Sequence, residues 1–476
     1  MGLVNCYRAA TQSITVDEAF TYERFVSQPL LTSLTTFDAA HHVLHTFGCI
    51  LFVRMFGEGI VPLRLTSLIF GFVYLWAVGR LSFLLFPSIW LRLLAAVLLS
   101  LNPYVFDFMS AARGYGMALA LFAWAVLFLF QFADEVCATG QARAQTLRRL
   151  AILATLAVGA NLTFAFPSVM LLAAVAVVVY LQTGSVRSIL VNMAAPAAVT
   201  LCLFAAPLAA ARRDDFYVGL ASLRDSLHSF YTASFDQEWP MVGAESKIYE
   251  QIGRYLPYLL LLPGASVILA TARWWNRDRQ SPLRLVLGVS AITLAGSVLL
   301  VLSGHLFLNM LYPYARTGLY VIFLCSLLIL VANRLLIRSG QPWRAAGYAS
   351  TAGVIVIAGL YGLELRTQWY GDWRFDAGTG GLMRSLSAVP RAPSSRPVHL
   401  GVSWAMQSTV EFYRKIYHLD WLEPVTREQP SCEDDYALVQ LLDQGIIDAL
   451  GFEILEREPV SGAILAQRTA QSCPAK

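Results

Sequence analysis

Long apolar runs alternate with short polar segments along most of the chain. A helix needs about 20 consecutive apolar residues to cross the hydrocarbon core of a bilayer. Runs of roughly this length predict membrane-spanning helices at 62–83, 91–108, 114–132, 189–210, 255–272, 285–303, 317–330 and 345–363. The pattern therefore predicts a polytopic α-helical membrane protein.

Two further apolar stretches do not fit a single span. Residues 150–181 carry no charge, but Asn161, Thr163 and Pro167 interrupt them near the middle. This interruption predicts two helices joined by a tight outer turn. Residues 43–56 are too short to span and are flanked by His41, His42 and Arg54, which favours an amphipathic helix lying in the membrane interface.

Arginine is concentrated in alternate loops, which indicates how the chain is oriented. One set of loops contains Arg80, Arg92, Arg143, Arg148, Arg149, Arg187, Arg273, Arg277, Arg279, Arg284, Arg334, Arg338 and Arg344. Because cytoplasmic loops are enriched in Lys and Arg, these loops are predicted to be cytoplasmic. The long loops and the C-terminal tail are then predicted to face outward, on the extracytoplasmic side of the cell membrane.

The start of the chain is unusual for this topology. No hydrophobic segment precedes Val16, so the sequence predicts about ten spans with both ends outside. A missing N-terminal helix is the favoured interpretation. The alternative is that 43–56 acts as an anchor despite its length.

Composition agrees with a chain that uses lipid as its solvent. Of 476 residues, 57% are hydrophobic and 14% are charged, against about 25% charged in soluble domains. The formal net charge of +4 comes largely from the inner-loop arginines. It therefore indicates contact with the bilayer and excludes a nucleic-acid partner.

The pattern predicts three regions. Residues 1–63 form a first extracytoplasmic loop with an acidic motif, and 64–365 form the multi-span membrane domain with an outer loop at 211–254. Residues 366–476 form a small soluble α/β domain, with strands at 398–404, 436–441, 452–455 and 462–467 and a helix at 407–417. Of seven scattered cysteines, only Cys432 and Cys473 are placed to form a disulfide.

The acidic pair Asp17 and Glu18 is the first candidate for chemistry. Carboxylates at a membrane surface are costly unless they are solvated or used. A carboxylate can accept the proton of an acceptor hydroxyl during group transfer. On spacing alone, solvated loop charge or a helix N-cap is the favoured interpretation of the pair.

Several short motifs occur in the order found in one family. They are Asp17-Glu18-Ala19-Phe20-Thr21, Asp38 with His41-His42-Val43-Leu44, Phe56-Gly57, Arg64-Leu65-Thr66-Ser67, Leu101-Asn102-Pro103, Ser110 to Gly116, Leu162-Thr163 to Pro167, and Tyr312 to Tyr320. Together they resemble the C-type (GT-C fold) membrane glycosyltransferases. Protein O-mannosyltransferases and aminoarabinose transferases are the better-known relatives.

The resemblance implies roles for three acids. The family's catalytic acid follows its first membrane helix and carries over to Asp17, with Glu18 as the second member of the motif. Asp107 resembles a second acidic position that shapes the site or binds a cation. The sequence departs from the family at Ala111, where many relatives carry Glu, so that any role of this acid is lost or moved to Asp107.

Other outer-face residues are candidates for binding. Arg113 and Arg316 fall at outer helix ends, where a guanidinium can hold a donor phosphate, although snorkelling to the interface is an equal alternative. Asp38, His41, His42, Tyr312 and Tyr314 are candidates for substrate contacts. Histidines that satisfy local hydrogen bonds and an interfacial aromatic belt are the alternatives.

These observations predict a transferase that moves a sugar from a polyprenyl-phosphate donor to a hydroxyl or amine of a lipid, protein or glycan acceptor, with inversion implied by the family. The resemblance leaves a divalent cation open as a cofactor, since the sequence shows no ligand set with defined spacing. A transporter or flippase for a polar lipid or sugar, and a non-catalytic scaffold, are the rival functions.

Overall fold

The structure is a computed structural model, and it describes residues 1–235, 260–272, 281–389 and 397–469. Within these residues, six helices are long and apolar enough to cross a membrane. Their bounds are Ile60–Leu85, Gly114–Thr139, Leu162–Thr183, Pro282–Leu308, Ala315–Ile337 and Trp343–Leu363. A mostly helical polytopic architecture is thus confirmed. The described residues also contain four shorter apolar helices, Val43–Phe56, Ile89–Ser100, Val186–Cys202 and Leu260–Ala272.

The helices of the membrane part pack into one large apolar core. In chain order, the helices from the N-terminus to the last span are α1 Gly2–Thr11, α2 Val16–Thr21, α3 Leu30–Thr35, α4 Val43–Phe56, α5 Ile60–Leu85, α6 Ile89–Ser100, α7 Pro103–Asp107, α8 Gly114–Thr139, α9 Ala144–Ala160, α10 Ala165–Thr183, α11 Val186–Cys202, α12 Ala205–Ala209, α13 Leu223–Phe235, α14 Leu260–Ala272, α15 Pro282–Leu308, α16 Leu319–Ile337 and α17 Trp343–Leu363.

Two predicted spans are wrong as single helices. Residues 91–108 divide into α6 and α7 because Pro103 begins α7 and the Asn102 side chain accepts hydrogen bonds from the next two free backbone N–H groups. Residues 189–210 divide into α11 and α12, and α11 contains a wide π-turn. Both segments are therefore shorter than their apolar composition suggested.

The prediction of two helices in 150–181 is confirmed. Helix α9 ends at Ala160, and Asn161 begins a short 3₁₀ turn by accepting a hydrogen bond from the backbone N–H of Thr163. The predicted helix at 43–56 is also present, with the predicted bounds. Its N-terminal end lies at His42, beside the cavity described below.

The C-terminal region forms a small mixed sheet. Strands β1 Leu400–Val402, β2 Tyr436–Val439, β3 Glu453–Arg457 and β4 Ile464–Gln467 are arranged in the order β1-β2-β4-β3. Strands β1 and β2 are parallel, and the other pairs are antiparallel. Helices α18 Thr379–Ala388, α19 Gln407–Ile416 and α20 Gln444–Leu450 accompany the sheet. The predicted strands and the helix at 407–417 are confirmed.

The first and last parts of the chain share one apolar core. Ile14, Ala19 and Tyr22 pack in the same buried cluster as Phe412 and Leu465. The backbone N–H of Ile14 donates a 2.9 Å hydrogen bond to the hydroxyl of Tyr413. The segment that carries Asp17 is therefore held by the C-terminal domain as well as by the membrane helices.

The cysteines divide into two groups. Cys432 is disulfide-bonded, and its predicted partner Cys473 lies outside the described residues. The described cysteines at 6, 49, 137, 202 and 325 are free. The only described cysteine in the C-terminal region is thus the one that is oxidised.

Candidate active site

A cavity of about 800 Å³ lies between the N-terminal segment and the membrane helices. Its polar side includes Asp17, His42, Arg113, Asn161, Tyr217 and Arg316. Its apolar side includes Leu162, Phe166, Val301, Leu308 and Leu311. The cavity thus offers both charged and apolar lining residues, as a lipid with a charged head group requires.

Asp17 is presented by the first turn of α2. Thr15 and Glu18 form a reciprocal capping box, in which each side chain accepts a hydrogen bond from the other's backbone N–H. The cap fixes where α2 begins and leaves the adjacent Asp17 side chain on the cavity wall. Glu18 therefore takes part in capping the helix together with Thr15. The Asp17 carboxylate takes no part in the cap and remains available to contact a substrate.

Two arginines meet the Asp17 carboxylate. Its Oδ2 lies 2.8 Å from Nη1 of Arg316 and 3.9 Å from Nη2 of Arg113. Both Nε atoms of these arginines are buried and lack a hydrogen-bond partner among the described residues. The structure therefore brings together the predicted acid and both predicted phosphate-binding arginines. The Nε–H groups of these arginines can still donate hydrogen bonds to a ligand.

Arg113 is held in this position by close backbone packing. A Cβ on Gly114 would lie 2.0 Å from the carbonyl oxygen of Ala160 and 2.6 Å from Cβ of His42. Glycine is therefore required where α8 begins, because it lets three segments meet. The Arg113 Nη1 also donates to the Thr21 hydroxyl at 2.9 Å, which ties the guanidinium to α2.

The charge state of Asp17 follows from these contacts. Burial raises the pKa of its carboxyl, and the guanidinium groups of Arg316 and Arg113 more than offset that effect. The nearby indole of Trp373 lowers the Asp17 pKa further. The net pKa lies below its ordinary value, so Asp17 is ionised at neutral pH.

Glu18 has a different environment from Asp17, although the two are adjacent. Its carboxylate is fully buried and pairs with Arg64 through Nε at 2.8 Å and Nη2 at 2.7 Å. It also accepts hydrogen bonds from the backbone N–H groups of Thr15 and Ala112. Glu18 therefore anchors α2 to α5 and to the loop before Arg113, and does not line the cavity.

The Asp107 carboxylate also forms an ion pair with a buried arginine. Arg8 of α1 forms an ion pair with its Oδ1, and the backbone N–H of Gly371 donates to its Oδ2 at 2.7 Å. The Arg8 guanidinium also lies over the ring of Tyr370, at 4.8 Å from its centroid. Asp107 thus joins α1, α7 and the segment that follows the last span, and the structure does not bring it to Asp17.

His42 presents a proton donor to the cavity. The Asn161 Oδ1 accepts from the backbone N–H and hydroxyl of Thr163, so its Nδ2 must donate to Nδ1 of His42, 3.2 Å away. A neutral imidazole that accepts at Nδ1 carries its proton on Nε2. Burial and the nearby Arg113 charge hold the His42 pKa well below its usual value, so the neutral ring directs an N–H into the cavity.

His41 lies on the same wall with the opposite polarity. Its Nδ1 is 3.2 Å from the carbonyl oxygen of Thr36, which fixes the proton on Nδ1 and leaves Nε2 as an acceptor. Its ring stacks on Phe25, with centroids 4.1 Å apart. Burial lowers the His41 pKa to about 4, so this ring is also neutral at pH 7.

The remaining predicted residues are more distant from Asp17. Asp38 caps the turn before His41 by accepting from the N–H of Ala40, and the hydroxyl of Tyr217 lies 3.5 Å from it. Tyr312 stacks on His305, and Tyr314 lines a second, smaller pocket. Trp239, which the sequence offers as a further aromatic residue for the sugar or acceptor groove, lies outside the described residues.

Sequence reasoning missed the short segment 371–376 that follows the last span. Asp372 accepts a hydrogen bond from the hydroxyl of Tyr104, and its Oδ2 lies 3.6 Å from Nη1 of Arg316. Burial raises the Asp372 pKa, and Arg316 opposes that effect. The signal was available, since aromatic and acidic residues alternate here at a change in composition.

Asp376 connects this segment to α2. Its Oδ2 accepts a 2.7 Å hydrogen bond from the backbone N–H of Val16, and its Oδ1 accepts from the hydroxyl of Thr409. Burial raises the Asp376 pKa well above its ordinary value, against the effect of these hydrogen bonds. Since its folded-state pKa is raised, its contribution to stability is fully present at low pH and is lost as pH rises through that pKa.

Asp376→Asn is therefore expected to fold, and its stability should fall less than the parent's stability as pH rises. The Asn oxygen can accept from Val16, and its amide can donate to Thr409, so both contacts remain possible. The check is the melting temperature in detergent at pH 5 and pH 8, with exposed Asp448→Asn as control. An equal fall in the parent and in Asp376→Asn would contradict the expectation.

The described residues of the cavity do not form a site for a divalent cation. Asp17 already faces two guanidinium charges, and the carboxylates of Glu18 and Asp107 are each paired with a buried arginine. Among residues 1–235, 260–272, 281–389 and 397–469, no three His, Cys, Asp or Glu side chains cluster as a metal site.

Comparison with known proteins gives structural matches alone. No family model matches the sequence, and no curated protein is significantly similar to it. The solved structures that align include ArnT from Cupriavidus metallidurans bound to undecaprenyl phosphate. It is 12% identical, and the alignment covers 100% of this chain and 98% of that chain with a TM-score of 0.49.

A second match is the archaeal oligosaccharyltransferase AglB from Archaeoglobus fulgidus, in complex with an inhibitory peptide and a dolichol-phosphate. It is 10% identical, and the alignment covers 98% of this chain and 70% of that chain with a TM-score of 0.41. Both alignments extend over at least 98% of this chain, at sequence identities of 12% and 10%. Such identities do not carry substrates or residue roles from one protein to another.

Proposed function

We propose that this protein transfers a sugar from a polyprenyl-phosphate donor to an acceptor hydroxyl or amine, with Asp17 accepting the acceptor's proton. The observation that carries the proposal is the ionised Asp17 carboxylate, which faces the buried guanidinium of Arg113 and the partly buried guanidinium of Arg316 on the wall of a cavity of about 800 Å³. A carboxylate beside two cations provides a proton acceptor and an anion-binding group in one place.

The lining of the cavity supports a lipid-linked donor. Apolar side chains of α10 and α15, such as Phe166 and Val301, form the side on which a polyprenyl tail is buried. Arg113 and Arg316 line the same cavity and are the groups that bind the donor phosphate in this proposal. A guanidinium binds phosphate through parallel, charge-assisted hydrogen bonds, and both arginines keep a free Nε for this purpose.

The proposed step is a direct displacement at the anomeric carbon. The acceptor oxygen or nitrogen forms a bond to that carbon while its proton passes to Asp17. The bond between the anomeric carbon and the phosphate oxygen breaks, and its electron pair stays on the polyprenyl phosphate. The two arginines stabilise the negative charge that develops there, and the anomeric carbon is inverted.

Donor binding also prepares the base in this scheme. Before the donor binds, Arg316 and Arg113 hold the Asp17 pKa low, which makes the carboxylate a weak base. A donor phosphate competes for the same guanidinium groups. When it takes their hydrogen bonds, the basicity of Asp17 rises at the moment when the acceptor must lose its proton.

We place the site on the extracytoplasmic face of the cell membrane. The support is the concentration of arginine in the opposite loops. Cys432 adds a second argument, because disulfides persist in oxidising compartments outside the cytoplasm. The acceptor is then a lipid, protein or glycan of the cell envelope.

The test is transfer by the purified full chain in liposomes. The liposomes contain a polyprenyl-phosphate donor with a radiolabelled sugar and an extract of envelope lipids and glycans as acceptors. We expect label to move to an acceptor and free polyprenyl phosphate to accumulate, only when the protein is present. An intact donor across a panel of donor sugars would overturn the proposal. Donor that crosses the bilayer uncleaved would identify a transporter.

A further inference from the structure

A second pocket, of about 250 Å³, lies beside the catalytic cavity and is not used by the scheme above. Its lining includes Tyr104, Ser229, Tyr314, Arg366, Asp372 and Arg374. Asp372 and Arg316 separate the two spaces. The same Nη1 of Arg316 lies 2.8 Å from Asp17 on one side and 3.6 Å from Asp372 on the other, so the width of one guanidinium divides the pockets.

Arg366 is the feature of this pocket that requires an explanation. The residue is 5% exposed, and its Nη2 is buried without a hydrogen-bond partner among the described residues. Burial lowers the Arg366 pKa, and the carboxylates of Asp107 and Glu364 oppose that effect. Asp107 is committed to Arg8 and Gly371. A buried guanidinium with an unused donor is costly unless an anion completes it.

A second guanidinium faces the same space. Arg366 and Arg374 both lie near the ring of Trp369, at 5.9 Å and 5.4 Å from its centroid. The Nε of Arg374 donates to the carbonyl oxygen of Val460 at 3.1 Å, which fixes this side chain to the C-terminal domain. Two arginines on a rigid wall are the arrangement that recognises phosphate or carboxylate.

The charge balance of the pocket favours an anion. Asp372 contributes a negative charge, but Tyr104 donates to it and Arg316 lies behind it. Arg366 and Arg374 contribute two positive charges on the other walls. The described charged residues that line the pocket therefore sum to a net positive charge.

We propose that this pocket binds an anionic group, a phosphate or a carboxylate, carried by the acceptor substrate. The inference rests on the proposed function, in which Arg113 and Arg316 hold the donor phosphate in the large cavity. An acceptor held by its anion at Arg366 and Arg374 shares the pocket with Asp372, and Asp372 lies 3.6 Å from the same Arg316 Nη1 that meets Asp17. The site then selects acceptors that carry a negative charge close to the hydroxyl or amine that receives the sugar.

The experiment titrates inorganic phosphate into the purified full chain in detergent and follows tryptophan fluorescence, because Trp369 lies in the pocket wall. It is repeated with saturating polyprenyl phosphate, so that binding in the catalytic cavity is separated, and with acetate in place of phosphate, so that the preferred anion is known. We expect a saturable response in the parent and phosphate binding at least about ten-fold weaker in Arg366→Gln.

Matched variants make the result decisive. Exposed Arg384→Gln is expected to bind phosphate as the parent does, and Arg374→Gln to bind it more weakly. Arg374→Gln also carries the test if Arg366→Gln fails to fold, as judged by size-exclusion chromatography. Equal phosphate affinity in the parent, Arg366→Gln and Arg374→Gln would overturn the inference, as would a parent that responds to neither anion. Because the readout needs no turnover, it is independent of whether sugar transfer is found.

Discussion

Asp17→Asn is expected to reduce sugar transfer about 10²–10⁴-fold while leaving the protein folded. The amide keeps the shape of the side chain but cannot accept the acceptor's proton. The loss should appear in kcat, because Arg113 and Arg316 still bind the donor phosphate. The measurement is the initial rate of label transfer in liposomes at several donor concentrations.

Asp214→Asn is the matched control for that experiment. Asp214 lines the same cavity but is exposed, and no ion pair with an arginine is recorded for it among the described residues. We expect this variant to retain the parent's rate within a small factor. If Asp17→Asn transferred sugar as fast as Asp214→Asn, Asp17 would not be the base, and Asp372 would be the next carboxylate to test.

Glu18→Gln is expected to destabilise the protein by about 3–5 kcal/mol, the usual cost of breaking one side of a buried ion pair. The four groups that contact the Glu18 carboxylate are Arg64 Nε, Arg64 Nη2 and the N–H groups of Thr15 and Ala112, and all are donors. A glutamine must therefore direct its own amide N–H against a donor, and Arg64 loses its counter-charge.

The measurement is the midpoint of thermal unfolding in detergent, with exposed Glu433→Gln as control. The effect should also depend on pH. Burial raises the Glu18 pKa and Arg64 lowers it by more, so the stabilisation is present at neutral pH and is lost as pH falls through the lowered pKa. A parent and a Glu18→Gln variant that unfold at the same temperature at pH 7 would refute this role.

The spans that the sequence predicted well are those whose information is local. Long apolar runs such as Ile60–Leu85 and Pro282–Leu308 appear as helices of spanning length, because no polar neighbour is needed to specify them. The prediction of a single span at 91–108 was wrong because a local signal was given too little weight. Asn102 followed by Pro103 is itself a helix start, and the apolar composition concealed it.

The site was predicted in part, since its members come from distant positions in the chain. Motif order indicated Asp17, Arg113 and Arg316, and the structure brings their charged groups together. The order of the motifs could not indicate that Arg64 forms an ion pair with Glu18 or that Arg8 forms one with Asp107. In the sequence, all four side chains look equally available. Which carboxylate stays on the cavity wall depends on the packing of α1, α5 and α8.

The contacts between the C-terminal domain and the segment that carries Asp17 were the least predictable feature. Its strands follow from alternation along the chain, but nothing in that alternation indicates that Asp376 and Tyr413 contact the residues just before and within α2. These contacts join positions that are 360 and 399 residues apart in the chain. Sequence patterns describe an element's own periodicity and not its partner.

The hydrogen bond between Ile14 and Tyr413 has a consequence for biosynthesis. The two residues are separated by 399 positions, so a ribosome working at about 5–20 residues per second needs roughly 20 to 80 seconds to deliver the second after the first. During that interval the segment that bears Asp17 lacks its final support. If the protein has the proposed transfer activity, the newly made chain should gain it only after its last segment has been synthesised, so that incomplete chains stay inert in the membrane.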